Sequence, residues 1–145
     1  MRIEIKNPER FSMVFESVTG QKLHHPVLGI TTDSREVQDG DLYIALKGER
    51  VDGHTFLDSV EDSNAAGALV SQGNPNLNLQ QILVDDPQTM IGKIANAWRR
   101  QFDIPLIGIT GSNGKTSTKD LLAHVLSNTY NVHATEGNFN TTVGL

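Results

Sequence analysis

Cysteine is absent from the 145 residues, which removes disulfide scaffolds, thiolate metal sites and cysteine nucleophiles together. Long apolar runs are absent as well. No stretch approaches the ~20 apolar residues that a bilayer crossing needs, and Met1 to Arg10 scatters Arg2, Glu4, Lys6, Glu9 and Arg10 among single apolar side chains, unlike the apolar centre of a signal peptide. Positive charge is scarce: 12 Lys plus Arg stand against 17 Asp plus Glu, a formal net charge of −5. A nucleic-acid surface requires clustered cations, so nucleic acid is not an expected partner, and only a local basic pocket remains open. The five histidines, His24, His25, His54, His124 and His133, include no i, i+4 pair of the kind that holds zinc on a helix. Repeats and low-complexity tracts are also missing, which excludes solenoids and arrays. The expectation is a soluble, cytoplasmic chain with no membrane insertion.

What is present suffices for a core. Apolar residues make up 37% and charged residues 20%, outside the low-hydrophobicity, high-charge range of disordered chains. At roughly 150 residues per domain, the length allows one domain, or one small domain and part of another. Ile3 and Ile5 alternate like a short strand, and Asn7-Pro8 opens a helix that Gly20 closes. Val27 to Thr32 reads as a strand running into the turn Asp33-Ser34-Arg35. Gln38-Asp39-Gly40-Asp41 marks another turn, before the strand Leu42 to Leu46. Thr55, with Asp58 three residues on, reads as the cap of a helix lined by Phe56, Leu57 and Val60. Ala65 to Val70 and Gln81 to Val84 are further apolar runs. The rhythm of strands and helices is that of an α/β unit. Pro87 suits the first turn of a helix whose Met90, Ile91, Ile94, Ala95 and Trp98 share a buried face, with Arg99-Arg100 as its solvated end. That helix is expected to introduce a second unit, which divides the chain into domains 1–86 and 87–145.

The second unit carries the chemistry. Ile104 to Ile109 is a continuous apolar run of the kind buried on both faces of a parallel sheet. It leads into Thr110-Gly111-Ser112-Asn113-Gly114-Lys115-Thr116-Ser117, and a helix with Leu121, Leu122, Val125 and Leu126 follows, then a strand around Asn131 to Ala134. The full G-x-x-x-x-G-K-[ST] pattern is not met, since Ile109 stands five before Gly114. An isolated Gly-x-x-Gly-Lys-Thr is also compatible with an ordinary turn into a helix cap. A buried strand before the loop and an amphipathic helix after it are the context of a phosphate-binding loop. Gly111 and Gly114 let backbone N–H groups point at phosphates, and Lys115 brings a mobile charge to the β- and γ-phosphates. Thr116 offers a hydroxyl to Mg²⁺. A nucleotide, with Mg²⁺ beside it, is therefore the expected ligand of this loop.

The segment Ile109 to Asp120, with its compressed glycine spacing, resembles the ATP-binding loop of the Mur ligase superfamily. Upstream, Thr32-Asp33-Ser34-Arg35, Gly40 to Arg50 and Asp52-Gly53-His54-Thr55-Phe56 resemble the N-terminal domain of the members that add the third residue and the terminal dipeptide. Downstream, Thr135-Glu136-Gly137-Asn138-Phe139-Asn140 followed by Val143-Gly144 is most similar to the members that add D-alanyl-D-alanine. Thr141-Thr142 departs from the Asn and acidic residue usual there. The resemblance implies an ATP-dependent ligase of peptidoglycan precursor synthesis. In such a ligase the carboxylate of a UDP-N-acetylmuramoyl-tripeptide is phosphorylated, and the amine of D-alanyl-D-alanine displaces phosphate from the acyl phosphate. It further implies a small N-terminal α/β domain for the UDP end of the substrate, then the first strand, loop, helix and strand of a P-loop parallel sheet, truncated here. The full-length enzyme is expected to be a monomer and this fragment to be inactive alone, marginally stable, with an exposed apolar face near Leu106 to Ile109.

Residue by residue, the resemblance assigns nucleotide binding to Gly111, Ser112, Asn113, Gly114, Lys115, Thr116 and Ser117, with Lys115 catalytic and Thr116 on the metal. It assigns substrate contacts to Ser34, Arg35, Asn138 and Asn140; an Arg suits a diphosphate because its planar fork bonds two oxygens. A solvated turn with Asp33 as its cap also accounts for Ser34 and Arg35, and Lys47-Gly48 and Asp52-Gly53-His54 read equally as turn chemistry. The alternatives are the related ligase that adds lysine or diaminopimelate, the more distant folylpolyglutamate synthase, and a nucleotide-binding module without ligase activity.

Overall fold

Alternating side chains organise the first part of the chain. The computed structural model describes residues 2–49 and 51–135, and the chain divides into two units, Met1–Phe102 and Asp103–Leu145. In the first, strands β1 (Arg2–Glu4), β2 (Gly29–Thr31), β3 (Asp41–Ile44), β4 (Gly67–Val70) and β5 (Gln81–Leu83) form one sheet in that spatial order. β1 runs antiparallel to β2, with Ile3 opposite Ile30. The other neighbours are parallel, with Ile30 opposite Leu42, Tyr43 opposite Ala68 and Leu69 opposite Ile82.

Successive side chains of a strand point to opposite faces, and the core splits accordingly. Leu42, Ile44, Leu69 and Ile82 join Phe11, Phe15 and Ile94 on one face, under helices α1 (Pro8–Thr19) and α3 (Pro87–Arg99). Tyr43, Ala45, Ala68 and Val70 join Leu57 and Val60 on the other, under helix α2 (Leu57–Asp62). The unit is a three-layer α/β sandwich, and each large apolar side chain buried in it contributes roughly 1.5–3 kcal/mol.

The helix boundaries follow local chemistry. Asn7 accepts the N–H of Arg10 at 3.0 Å, Pro8 occupies the first turn of α1, and Gly20 closes it. Asp86 caps α3 through the N–H groups of Gln88 and Thr89. The Thr55 cap expected from sequence is not formed. A 3-10 turn at Gly53–Phe56, capped by Asp52, precedes α2, and the Thr55 hydroxyl donates back to the Asp52 carbonyl at 2.7 Å.

The division after Phe102 differs from the boundary read at Asp86. α3 does not open the second unit; Ile94 is buried in the first unit's core, and Met90, Ile91 and Trp98 pack against it. An amphipathic helix buries its stripe against the nearest complementary face, here that of α1, where the Trp98 ring lies 6.2 Å from Phe11. Ala95, placed on the buried face by spacing, is exposed. The Arg10 guanidinium lies 4.9 Å from the Phe102 ring centroid and 5.8 Å from that of Trp98, and donates to the Gln101 carbonyl at 3.1 Å.

In the second unit the described regular element is helix α4 (Lys115–Leu126). The strands expected at 104–109 and 131–134 are not formed. A parallel strand exists only as a ladder with its neighbours, and the described residues of this unit contain no strand to pair with either. Leu106 and Ile107 accordingly stand exposed at 79% and 58%. Among the described residues, no helix is long and apolar enough to cross a membrane.

Candidate nucleotide and substrate sites

The loop before α4 is shaped by two glycines, Gly111 at φ +150° and Gly114 at φ +74°, conformations that side chains disfavour. Gly114 is the N-cap residue of α4 and supplies no side-chain cap. A helix N-terminus leaves its first N–H groups without intrahelical partners, and the first intrahelical bond here runs from the Thr118 N–H to the Gly114 carbonyl at 2.9 Å. Lys115 reaches back over the loop, its Nζ donating to the Gly111 carbonyl at 2.6 Å. An ammonium at the positive end of a helix is an arrangement that favours an anion. Gly111, Ser112, Asn113, Gly114, Lys115, Thr116 and Ser117 are thus brought into one loop and helical turn. Lys119 donates to the Thr135 carbonyl at 2.5 Å and pairs with Asp120 at 3.3 Å, which ties the described end of the chain to α4. Asn138 and Asn140 lie outside the described residues.

Mg²⁺ fits the residues present in a limited way. Among the described residues, no three or more His, Asp or Glu side chains are grouped to hold a metal. Mg²⁺ beside a nucleotide needs few protein ligands, because phosphates and water complete its octahedron. Thr116, exposed in the first turn of α4, is a hydroxyl of the right kind.

The first unit offers a second cluster. β2, β3 and β4 are parallel, so their carboxyl ends lie along one edge of the sheet, where ligands of open α/β sheets collect. β2 is followed by Asp33, whose side chain caps a 3-10 turn at Ser34–Glu36 and holds Arg35 in a two-pronged pair of 2.9 and 2.6 Å. Asp33 is the local cap of this turn, and the Arg35 side chain remains 85% exposed with further N–H groups beyond those that Asp33 holds. The Arg35 bonds hold the Asp33 carboxyl well below the usual range.

β3 is followed by a loop pinched where Lys47 bridges Asp52, with the Gly48 N–H donating to the Val51 carbonyl at 2.9 Å. Its last residues, Asp52-Gly53-His54, have the composition of a turn but form a network. His54 Nδ1 lies 2.6 Å from Asp52 Oδ1, and His54 Nε2 accepts the backbone N–H of Ser71, at the end of β4, at 2.9 Å. The His54 N–H and ring hold the Asp52 carboxyl below its ordinary range. Tyr43 donates to the Gly53 carbonyl at 3.1 Å; burial, then the charges of Asp33 and Asp52, push its phenol up to about 12. The Asp33 and Asp52 loops follow β2 and β3, which are parallel neighbours, and so stand at the same edge of the sheet. The only local signal for this network was the Asp-Gly-His spacing itself.

A three-layer α/β unit followed in sequence by a Gly-x-x-Gly-Lys-Thr loop at a helix start places the chain among α/β proteins with a P-loop-like turn. Residues 26–99 match the family described as Mur ligase family, catalytic domain, and residues 109–145 match the Mur ligase middle domain; the chain belongs to the Mur ligase family. Within that family it is similar to UDP-N-acetylmuramoyl-tripeptide–D-alanyl-D-alanine ligase of Bacillus subtilis, 44% identical over 119 residues that cover 81% of this chain and 26% of the relative. It is 39% identical to the same ligase of Escherichia coli over 116 residues, 80% of this chain and 25% of the relative. The solved structure of MurF from Acinetobacter baumannii superposes with a TM-score of 0.85 at 31% identity over 92% of this chain and 31% of that one. MurF ligase from Thermotoga maritima in complex with ADP does so at 0.74 and 35% identity over 79% of this chain and 27% of that one. The chain thus spans about a quarter of the length of these curated relatives.

Proposed function

We propose that this chain is the nucleotide- and substrate-binding part of an ATP-dependent ligase that joins D-alanyl-D-alanine to UDP-N-acetylmuramoyl-tripeptide. The observation that carries the reading is the glycine loop with Lys115 folded across it at the uncapped start of α4. The relatives that bear this activity in their names support it. When bound, ATP with Mg²⁺ supplies a phosphoryl group that turns the tripeptide carboxylate, a poor electrophile, into an acyl phosphate open to the dipeptide amine. The chain's own residues position and neutralise. The loop N–H groups at Ser112 to Ser117 would hold the phosphates, and Lys115, now on the Gly111 carbonyl, would supply the neutralising charge. The Thr116 hydroxyl would be this chain's ligand to the metal.

The first unit, in this reading, receives the UDP end of the substrate at the carboxyl edge of β2 to β4, with Ser34 and Arg35 toward the diphosphate; Asn138 and Asn140 are further candidates for substrate contact. A reaction that consumes ATP and a UDP-linked sugar belongs in the cytoplasm, where both are made. In the complete ligase that carries this chain, Lys115→Ala is expected to lower kcat for ATP-dependent dipeptide addition by roughly 10²-fold or more. Retention of wild-type turnover by that variant would refute the reading.

A further inference from the structure

We propose that His54 is a positioning residue for the substrate edge of the first unit: it locks the loop after β3 onto the end of β4, and thereby sets affinity for the UDP end of the substrate without touching it. The inference rests on the ligase reading above.

The ring's two nitrogens are engaged in opposite senses. A backbone N–H can only donate, so the 2.9 Å contact from the Ser71 N–H makes Nε2 the acceptor, and Nδ1 carries the proton that Asp52 accepts at 2.6 Å. The Ser71 hydroxyl also lies 3.1 Å from Nε2. The side chain is only 12% exposed, so these bonds form largely out of water, where a satisfied network rigidifies what it joins. The loop's return is held to β3 independently, by the Gly53 N–H on the Leu46 carbonyl at 2.8 Å and by Tyr43 on the Gly53 carbonyl. His54 adds the sideways tie to β4. An apolar side chain could close the same space, but a ring bonded at both nitrogens also fixes the loop's direction. Lys47 and Gly48, exposed at the start of this loop, are thus held at the edge where the ligand is received.

The complete ligase tests this with two variants. His54→Phe keeps a planar ring of similar volume and loses both bonds; His54→Gln returns an amide oxygen that can accept from the Ser71 N–H. His54→Phe is expected to raise KM for UDP-N-acetylmuramoyl-tripeptide about tenfold, the equivalent of one hydrogen bond. KM for ATP and for the dipeptide should stay at wild type, and His54→Gln should recover most of the loss. A rise of all three KM values together with a lower thermal midpoint would make His54 merely structural and overturn the proposal, as would an unchanged KM for the UDP substrate or a Gln variant no better than Phe. In the 145-residue chain, imidazole ¹⁵N shifts should show a protonated Nδ1 and a bare Nε2; the reverse tautomer also overturns it. Absence of turnover by the wild-type ligase would instead strike the ligase reading itself, and the role of His54 with it.

Discussion

Asp41 is fully buried, and the residues that make this tolerable are far from it in the chain. Arg2 reaches across β2 to bond both carboxylate oxygens at 2.7 Å, and the Gln38 N–H adds a third bond at 2.9 Å. Gly29 lies between them on β2, where an added Cβ would sit 2.5 Å from both Arg2 Nη2 and Asp41 Oδ1. The pair fastens the antiparallel edge strand to the parallel part of the sheet. Removing one partner of a buried pair leaves the other charged and unsolvated. Arg2→Met is therefore expected to destabilise the first unit by about 3 kcal/mol, read from the urea midpoint of the 145-residue chain; a loss within experimental error would show that water replaces the guanidinium. In the sequence, Asp41 was legible only as part of the turn Gln38 to Asp41, because no local pattern joins it to a residue 39 positions away. The turn at Gly111 to Gly114 and the helix start at Lys115 were legible locally, since Lys115 meets Gly111 only four residues back.

Among elements, the ones the sequence marks best are those whose caps and stripes lie within a few residues. α1 begins at Asn7-Pro8 and ends at Gly20, and α3 begins at Asp86-Pro87, each where local chemistry predicts. The Asp86 cap has a pH dependence with a definite sign. Bonds from the Thr89 hydroxyl and N–H and from the Gln88 N–H hold its carboxyl below the ordinary range. A carboxyl depressed in the folded state stabilises fully above its unfolded pKa, and that contribution is lost as pH falls through the folded value. Asp86→Ala should thus lower the thermal midpoint at pH 7, and the gap to wild type should close once pH drops well below about 4, as followed by circular dichroism. A gap that persists in acid would assign the loss to something other than the charged cap. Thr55 does not cap because Asp52, three residues earlier, competes for the same role and holds the His54 N–H at 3.0 Å. The apolar run at 104–109 was read as a strand from composition, and composition cannot provide the neighbouring backbone that a ladder requires.

At the scale of the molecule, the chain is two units that meet after Phe102 in sequence, and the first contains both apolar clusters and the whole sheet. Cleavage by a protease favours exposed backbone outside packed elements. Brief digestion should therefore cut first within the exposed residues 103–108, to leave a fragment ending near Phe102 that unfolds cooperatively. Mass spectrometry of the products checks this, and a first cut near Asp86 would restore the boundary read from the sequence. The α/β alternation of the first unit and the glycines of the loop were determined by the sequence alone, because alternation, helical spacing, caps and loop glycines act between residues only a few positions apart. Only the tertiary structure decided that α3 completes the first unit, that Arg2 and Asp41 form one pair, that His54 reaches Ser71 and that residues 104–109 form no strand. Each of these depends on groups distant in the chain meeting, or failing to meet, in space, and such encounters leave no periodicity in the sequence.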